Sequence, residues 1–142
     1  MDRRLEGFQE REHTADWELN VWAEDLPGLF EQSARGMYAL AGVRLTASPT
    51  AGGGRTVRRL HLEAFDDEAL LVAFLSELLR FGEEAGLAFD EFDLSVEAHH
   101  LDAQLTGGVI AGQDKEIKAV TFHNLSIRNS GGRVEVDIVF DV

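Results

Sequence analysis

Between Glu68 and Glu84 the chain carries Leu70, Leu71, Val72, Phe74, Leu75, Leu78, Leu79 and Phe81. At 3.6 residues per turn these cover most of a helix's circumference, not one stripe. Such a helix cannot lie on a rim. It needs apolar neighbours on several sides, so the rest of the chain must wrap around it. Asp66 or Asp67 is positioned to cap its start. Glu77 sits inside the apolar surround, where it points to a polar edge or accepts a hydrogen bond.

What wraps it is legible from the other periodicities. Leu26, Leu29, Phe30, Ser33, Met37 and Leu40 recur at helical spacing. Asp25 is an N-cap, Pro27 is tolerated in the first turn, and Gly42 is a good C′ residue. This helix has a single apolar stripe, and its Met and Phe read as core. Period-two alternation marks strands. Gly7 to Glu12 is a short strand or extended arm. In Trp17 to Ala23 the residues Trp17, Leu19, Val21 and Ala23 share a core face, and Asp16, Glu18 and Asn20 face away. Thr56 to Ala64, Phe89 to Ala98, Leu101 to Ile110, Ala119 to Ile127 and Arg133 to Asp141 read the same way. Ser130-Gly131-Gly132 is a hairpin turn, and Gly107-Gly108 marks a bulge or a close backbone approach. Strand, helix, strand, helix and a run of hairpin-linked strands predict an α+β fold. It is a mixed, mostly antiparallel β-sheet, or two small sheets, with the two amphipathic helices packed on one face. At 142 residues, positions 1–142 read as a single domain.

Charge narrows the function. Thirteen Lys and Arg stand against 26 Asp and Glu, a formal charge of -13. Such a chain repels phosphate backbones, so no strong direct nucleic-acid binding is expected. Arg55, Arg58 and Arg59 are the only basic cluster, a weak patch. The glycine-rich segment from Ala47 to Arg55 reads as a surface loop, because no strand-to-helix context or Lys-Ser/Thr pair follows it. With no cysteine, disulfides, thiolate metal sites and cysteine nucleophiles are excluded. No stretch has the ~20 apolar residues that span a bilayer, and the N-terminus lacks a signal-peptide core. A soluble, cytoplasmic protein with no membrane partner is the expectation.

Two stretches could carry chemistry. His13-Thr14-Ala15-Asp16 is a polar lead into the Trp17 strand. At the far end, Asp141 precedes Val142, which places the Asp141 side chain and the terminal carboxylate close together. Two hard oxygen groups at one spot are a half-site for Ca²⁺ or Mg²⁺, and Asp16 could add a third carboxylate if the first and last strands pair. The alternative is a solvated terminal acid. Ile117-Lys118-Ala119-Val120-Thr121-Phe122-His123 is the other dense stretch. Its Lys118 is an ion-pair partner or a phosphate contact, or an ordinary snorkelling lysine. His99-His100 lies in an apparent turn. Adjacent histidines on a strand face opposite ways and do not easily share one metal, so a solvated turn is the stronger reading. Nothing forms a nucleophile–base–acid order, so an enzyme is not expected.

In combination these segments resemble the archease family. The resemblance rests on Phe8 with His13-Thr14-Ala15-Asp16, Leu29-Phe30-Glu31-Gln32-Ser33-Ala34, the block Leu70 to Leu79, Ile117 to His123, and the Asp141-Val142 end. It runs in family order over nearly the whole chain. Gly108, where the family has an acid, and Phe122, where tyrosine is usual, depart from it. The resemblance implies an accessory protein of tRNA splicing. Its partner would be a GTP-dependent 3′-phosphate RNA ligase of the RtcB type, whose guanylylation and multiple turnover it promotes. It implies a divalent cation, Ca²⁺ or alternatively Mg²⁺ or Mn²⁺, on Asp16, Asp141 and Val142. It gives Lys118, with Asp16 and Asp141, a role in activating the ligase, and His13 and His123 supporting roles. A chaperone-like effect on a tRNA methyltransferase is the family's second implied role. A stand-alone metal-dependent hydrolase is the remaining alternative.

Overall fold

The computed structural model describes residues 5–12, 16–46 and 55–142. His13, Thr14 and the segment 47–54 lie outside the described residues. The elements run β1 (Gly7–Glu12), β2 (Asp16–Ala23), α1 (Leu26–Ala41), β3 (Arg44–Leu45), β4 (Thr56–Glu63), α2 (Asp67–Ala85), β5 (Leu87–Glu97), β6 (His100–Gly112), β7 (Ala119–Val120), β8 (Arg128–Ser130) and β9 (Arg133–Asp141). This is the expected α+β fold, resolved into two sheets. Every described strand pairing is antiparallel.

Both helices start and stop where side-chain chemistry demands. The Asp25 carboxylate accepts from the Gly28 N–H at 2.8 Å, and the Asp66 carboxylate from the Ala69 N–H at 2.7 Å. Each satisfies an amide that has no partner in the first turn. Gly42 and Gly86 end the helices at φ 67° and 64°, a left-handed conformation that costs glycine little. Phe30 of α1 stacks on Phe74 of α2 with ring centroids 5.9 Å apart. Both rings are fully buried, each contributing about 1.5–3 kcal/mol of transfer free energy. Glu77 reaches the polar edge, where Arg80 bonds it at 2.7 Å and holds its carboxyl below the usual range.

The first sheet has the order β1-β2-β9-β7, with β8 also on β9. Leu19, Val21, Val136, Ile138 and Phe140 are buried on its inner face, against α1. In the second sheet β6 is central, flanked by β4 with β3 on one side and by β5 on the other. Gly107 is a true close approach: an added Cβ would meet the backbone of Ala88 and Phe89. The β5 register shifts between Phe89 and Glu91, and the residues of this bulge, Asp90 and Glu91, both bind Arg55. Strand alternation sends Arg58 and Arg59 to opposite faces, so the three arginines form no common patch.

One strand expectation fails. The segment from Ala119 to Ile127 is not a strand throughout: β7 is two residues long. Thr121 still bonds Val139, but Asn124 takes φ 52° and the chain turns away. Pairing resumes only at Arg128. The apolar residues of the segment reach the core without a strand: Val120 is buried, and Leu125 and Ile127 pack on the core as partly buried residues.

Candidate functional site

Register builds the site. Along β2 and β9, Trp17 faces Phe140 on the core side, which leaves Asp16 directly opposite Asp141 on the outer side. Directly opposed residues of an antiparallel pair hold their Cβ atoms about 4.5–5.5 Å apart on one face. The two carboxylates from opposite ends of the described chain are therefore nearest cross-strand neighbours. Asp16 is half-buried and Asp141 exposed, and Val142 leans its side chain on the core. Neither carboxylate has an ion-pair partner among the described residues.

On the other edge of β9, the Lys118 N–H donates to the Asp141 carbonyl at 2.7 Å, and Ala119 pairs with Asp141. Ile117 and Val120 are buried on either side of this point. They pin the segment and leave Lys118 exposed at the corner. Asp16 and Asp141 thus sit on adjacent strands, and Lys118 immediately precedes the next, β7. The Lys115 ammonium stands 3.2 Å from the centroid of the Trp17 ring. The Asp114 and Lys115 amides donate to the Ala41 carbonyl at 2.9 and 3.1 Å, which ties this loop to the end of α1. Sequence reasoning missed Lys115, because a cation over a ring leaves no periodic trace. His123 is exposed, its amide 3.3 Å from Thr121 Oγ1 and its ring Nε2 3.2 Å from Asn124 Nδ2.

Behind the corner, the outer face of this sheet is not simply solvated. Asn20 is only 1% exposed. Its Nδ2 donates to Glu135 Oε2 and Asp137 Oδ1, both at 2.8 Å. Arg128 and Arg133 flank the same acids. The Asn20 hydrogen bond, assisted by these arginines, holds the Glu135 carboxyl below the usual carboxylate range. A satisfied polar network of this kind fixes β2 against β9, and hence the Asp16–Asp141 register.

The donor set is hard and oxygen-based. Two carboxylates and a main-chain oxygen suit Ca²⁺ or Mg²⁺, with water completing the shell, and do not suit soft metals.

The model of the archease protein family matches residues 8–142. The chain belongs to the archease family. Archeases from Thermococcus gammatolerans and Pyrococcus abyssi are 31% and 29% identical to it, covering 88% and 97% of this chain and 88% and 100% of their own. Two solved structures share the fold. One is an archease from Thermotoga maritima, described as a possible chaperone: TM-score 0.70, 21% identity, 94% of this chain and 96% of that one. The other is a Methanobacterium thermoautotrophicum protein solved in solution: TM-score 0.69, 23% identity, 96% and 99% coverage. Among the described residues no helix is long and apolar enough to cross a membrane.

Proposed function

We propose that this archease is an accessory protein and not itself a catalyst. It acts on a GTP-dependent 3′-phosphate RNA ligase of the RtcB type in tRNA splicing or RNA repair, promoting the ligase's guanylylation and repeated turnover in the cytoplasm. The observation that supports this most is the convergence of Asp16, Asp141 and Lys118 at one sheet corner. These are the residues that the family's motifs single out, and they come from three separate segments. Asp16, Asp141 and the main-chain oxygen of Val142 would hold a divalent cation, Ca²⁺ in the first instance. The cation would draw the two carboxylates together and fix the end of β9 beside Lys118. Lys118 would then meet an acidic or phosphate group of the partner as a point charge. A formal charge of -13 suits docking on the basic rim of an RNA-binding enzyme through complementary fields.

Ligation with limiting ligase tests the proposal. Wild-type protein should support many rounds of joining. Asp16→Ala and Lys118→Ala should each lower the turnover rate by about tenfold or more, the scale of one lost charged contact at an interface. Turnover that is the same with and without the wild-type protein would overturn the reading.

A further inference from the structure

The second sheet carries a different set of donors, unrelated to the corner just described. On its outward face His61 lies opposite Asp102, and Glu63 opposite His100. Leu62 and Leu101 take the inward positions, so these four side chains share the solvent face of two adjacent strands. One ring nitrogen of His61, one of His100 and one carboxylate oxygen of Glu63 all lie within 4.8 Å of one another. Glu63 Oε2 is the hub, 3.3 Å from His100 Nδ1 and 3.9 Å from His61 Nε2. The two imidazole centroids are 5.8 Å apart.

The orientation of His61 carries the inference. Its Nδ1 is 2.8 Å from Asp102 Oδ1. An ionised carboxylate can only accept, so Nδ1 bears the hydrogen, and in the neutral ring Nε2 keeps its lone pair on the side of Glu63. A carboxylate fixing the far nitrogen of a histidine, with the near nitrogen left basic, is the usual support of an imidazole metal ligand. His99, the sequence neighbour of His100, plays no part: its ring goes to Asp67 at 2.9 Å. Both Ala98 and His99 are at positive φ, and this turn delivers His100 to the β4 side. Glu97 of β5 is in register with His100, and Asp93 and Ser95 extend the same face. The surroundings are therefore net acidic, which favours a cation.

We infer that His61, Glu63 and His100 form a binding site for a borderline divalent ion that takes imidazole and carboxylate ligands, of which Zn²⁺ is the type. Asp102 acts as the positioning residue for His61. Three protein ligands leave a fourth tetrahedral position open to solvent or to a group of a partner. Zinc bonds of about 2.0–2.2 Å would bring the ligand atoms to about 3.4 Å from one another. Exposed side chains reach that spacing by small rotations. The ion would take the place of the direct contact between His100 Nδ1 and Glu63 Oε2. This site differs in kind from the oxygen-only corner at Asp16 and Asp141, which selects hard cations.

Calorimetric titration of the untagged chain with Zn²⁺ tests the site. The wild type should bind one equivalent in the micromolar range. His61→Gln and His100→Gln should each weaken binding tenfold or more, Asp102→Asn by about tenfold, and His99→Gln not at all. In the wild type, Zn²⁺ should shift the ring resonances of His61 and His100 and leave those of His99 unmoved, a readout that needs no variant to fold. Absence of saturable Zn²⁺ binding would overturn the site. So would equal affinity in His61→Gln, His100→Gln and wild type, or shifts confined to other histidines.

Discussion

Asn20 shows how a single buried amide organises the surface behind the candidate corner. It is a polar residue on the outward side of β2, yet nearly inaccessible, because Glu135 and Asp137 of β9 both accept from its side chain. Removing it leaves two neighbouring carboxylates with only arginine neighbours to compensate them. Asn20→Ala should cost about 1–3 kcal/mol at neutral pH, the scale of a lost bond to a charged partner. The pH dependence has a definite sign. Glu135 titrates below its ordinary range in the folded state. Its contribution is therefore present above the unfolded pKa and is lost as pH falls through the folded pKa. The gap between wild type and Asn20→Ala should be widest near neutrality and should close as pH drops below the carboxylate range. Urea unfolding at a series of pH values measures it. A gap that widens on acidification would contradict the network. Sequence alternation put Asn20 on the outer face but could not show its burial, because its partners Glu135 and Asp137 reach it only through the pairing of β2 with β9.

At the scale of elements, periodicity carried most of what could be known in advance. Both helices, the cap at Asp25, and the alternating strands β2 and β9 were legible because each is specified by local chemistry; for the second helix the sequence offered Asp66 or Asp67, and Asp66 is the cap. The segment after Val120 was not: Leu125 and Ile127, two positions apart and both packed on the core, imitate the period of a strand, and the turn at Asn124 has no glycine or proline to announce it. The β4–β6 cluster was also hidden, since His61 and His100 are 39 positions apart and only pairing brings them together. Gly107 was visible as a break in a strand, though its partner was not. An added methyl there would meet the backbone of β5, with Phe89 Cα 2.6 Å away, and backbone cannot rotate aside. Gly107→Ala should lower stability by about 2 kcal/mol or more. Gly108→Ala, with nothing within 4 Å of its Cβ position, should change it by less than about 0.5 kcal/mol. Denaturation midpoints of the two variants decide this, and equal midpoints would mean that β5 and β6 can separate locally without cost.

For the molecule as a whole, the two sheets divide the surface by chemistry. Around the helices the first sheet closes on an oxygen-rich corner, with Lys118 and Lys115 beside it. The second turns a face of histidines and acids outward. The corner depends on the whole topology, since Asp16 and Asp141 meet only because β9 returns along β2. Sequence could nominate those residues, and resemblance could join them, but only register makes them neighbours. Calorimetric titration with Ca²⁺ tests the corner most directly. Ca²⁺ prefers oxygen donors, so the histidine cluster should compete weakly for it. The wild type should bind one Ca²⁺, and Asp16→Asn and Asp141→Asn should each weaken that binding at least tenfold, while His61→Gln leaves it unchanged. Ca²⁺ affinity that is the same in wild type, Asp16→Asn and Asp141→Asn would contradict the account.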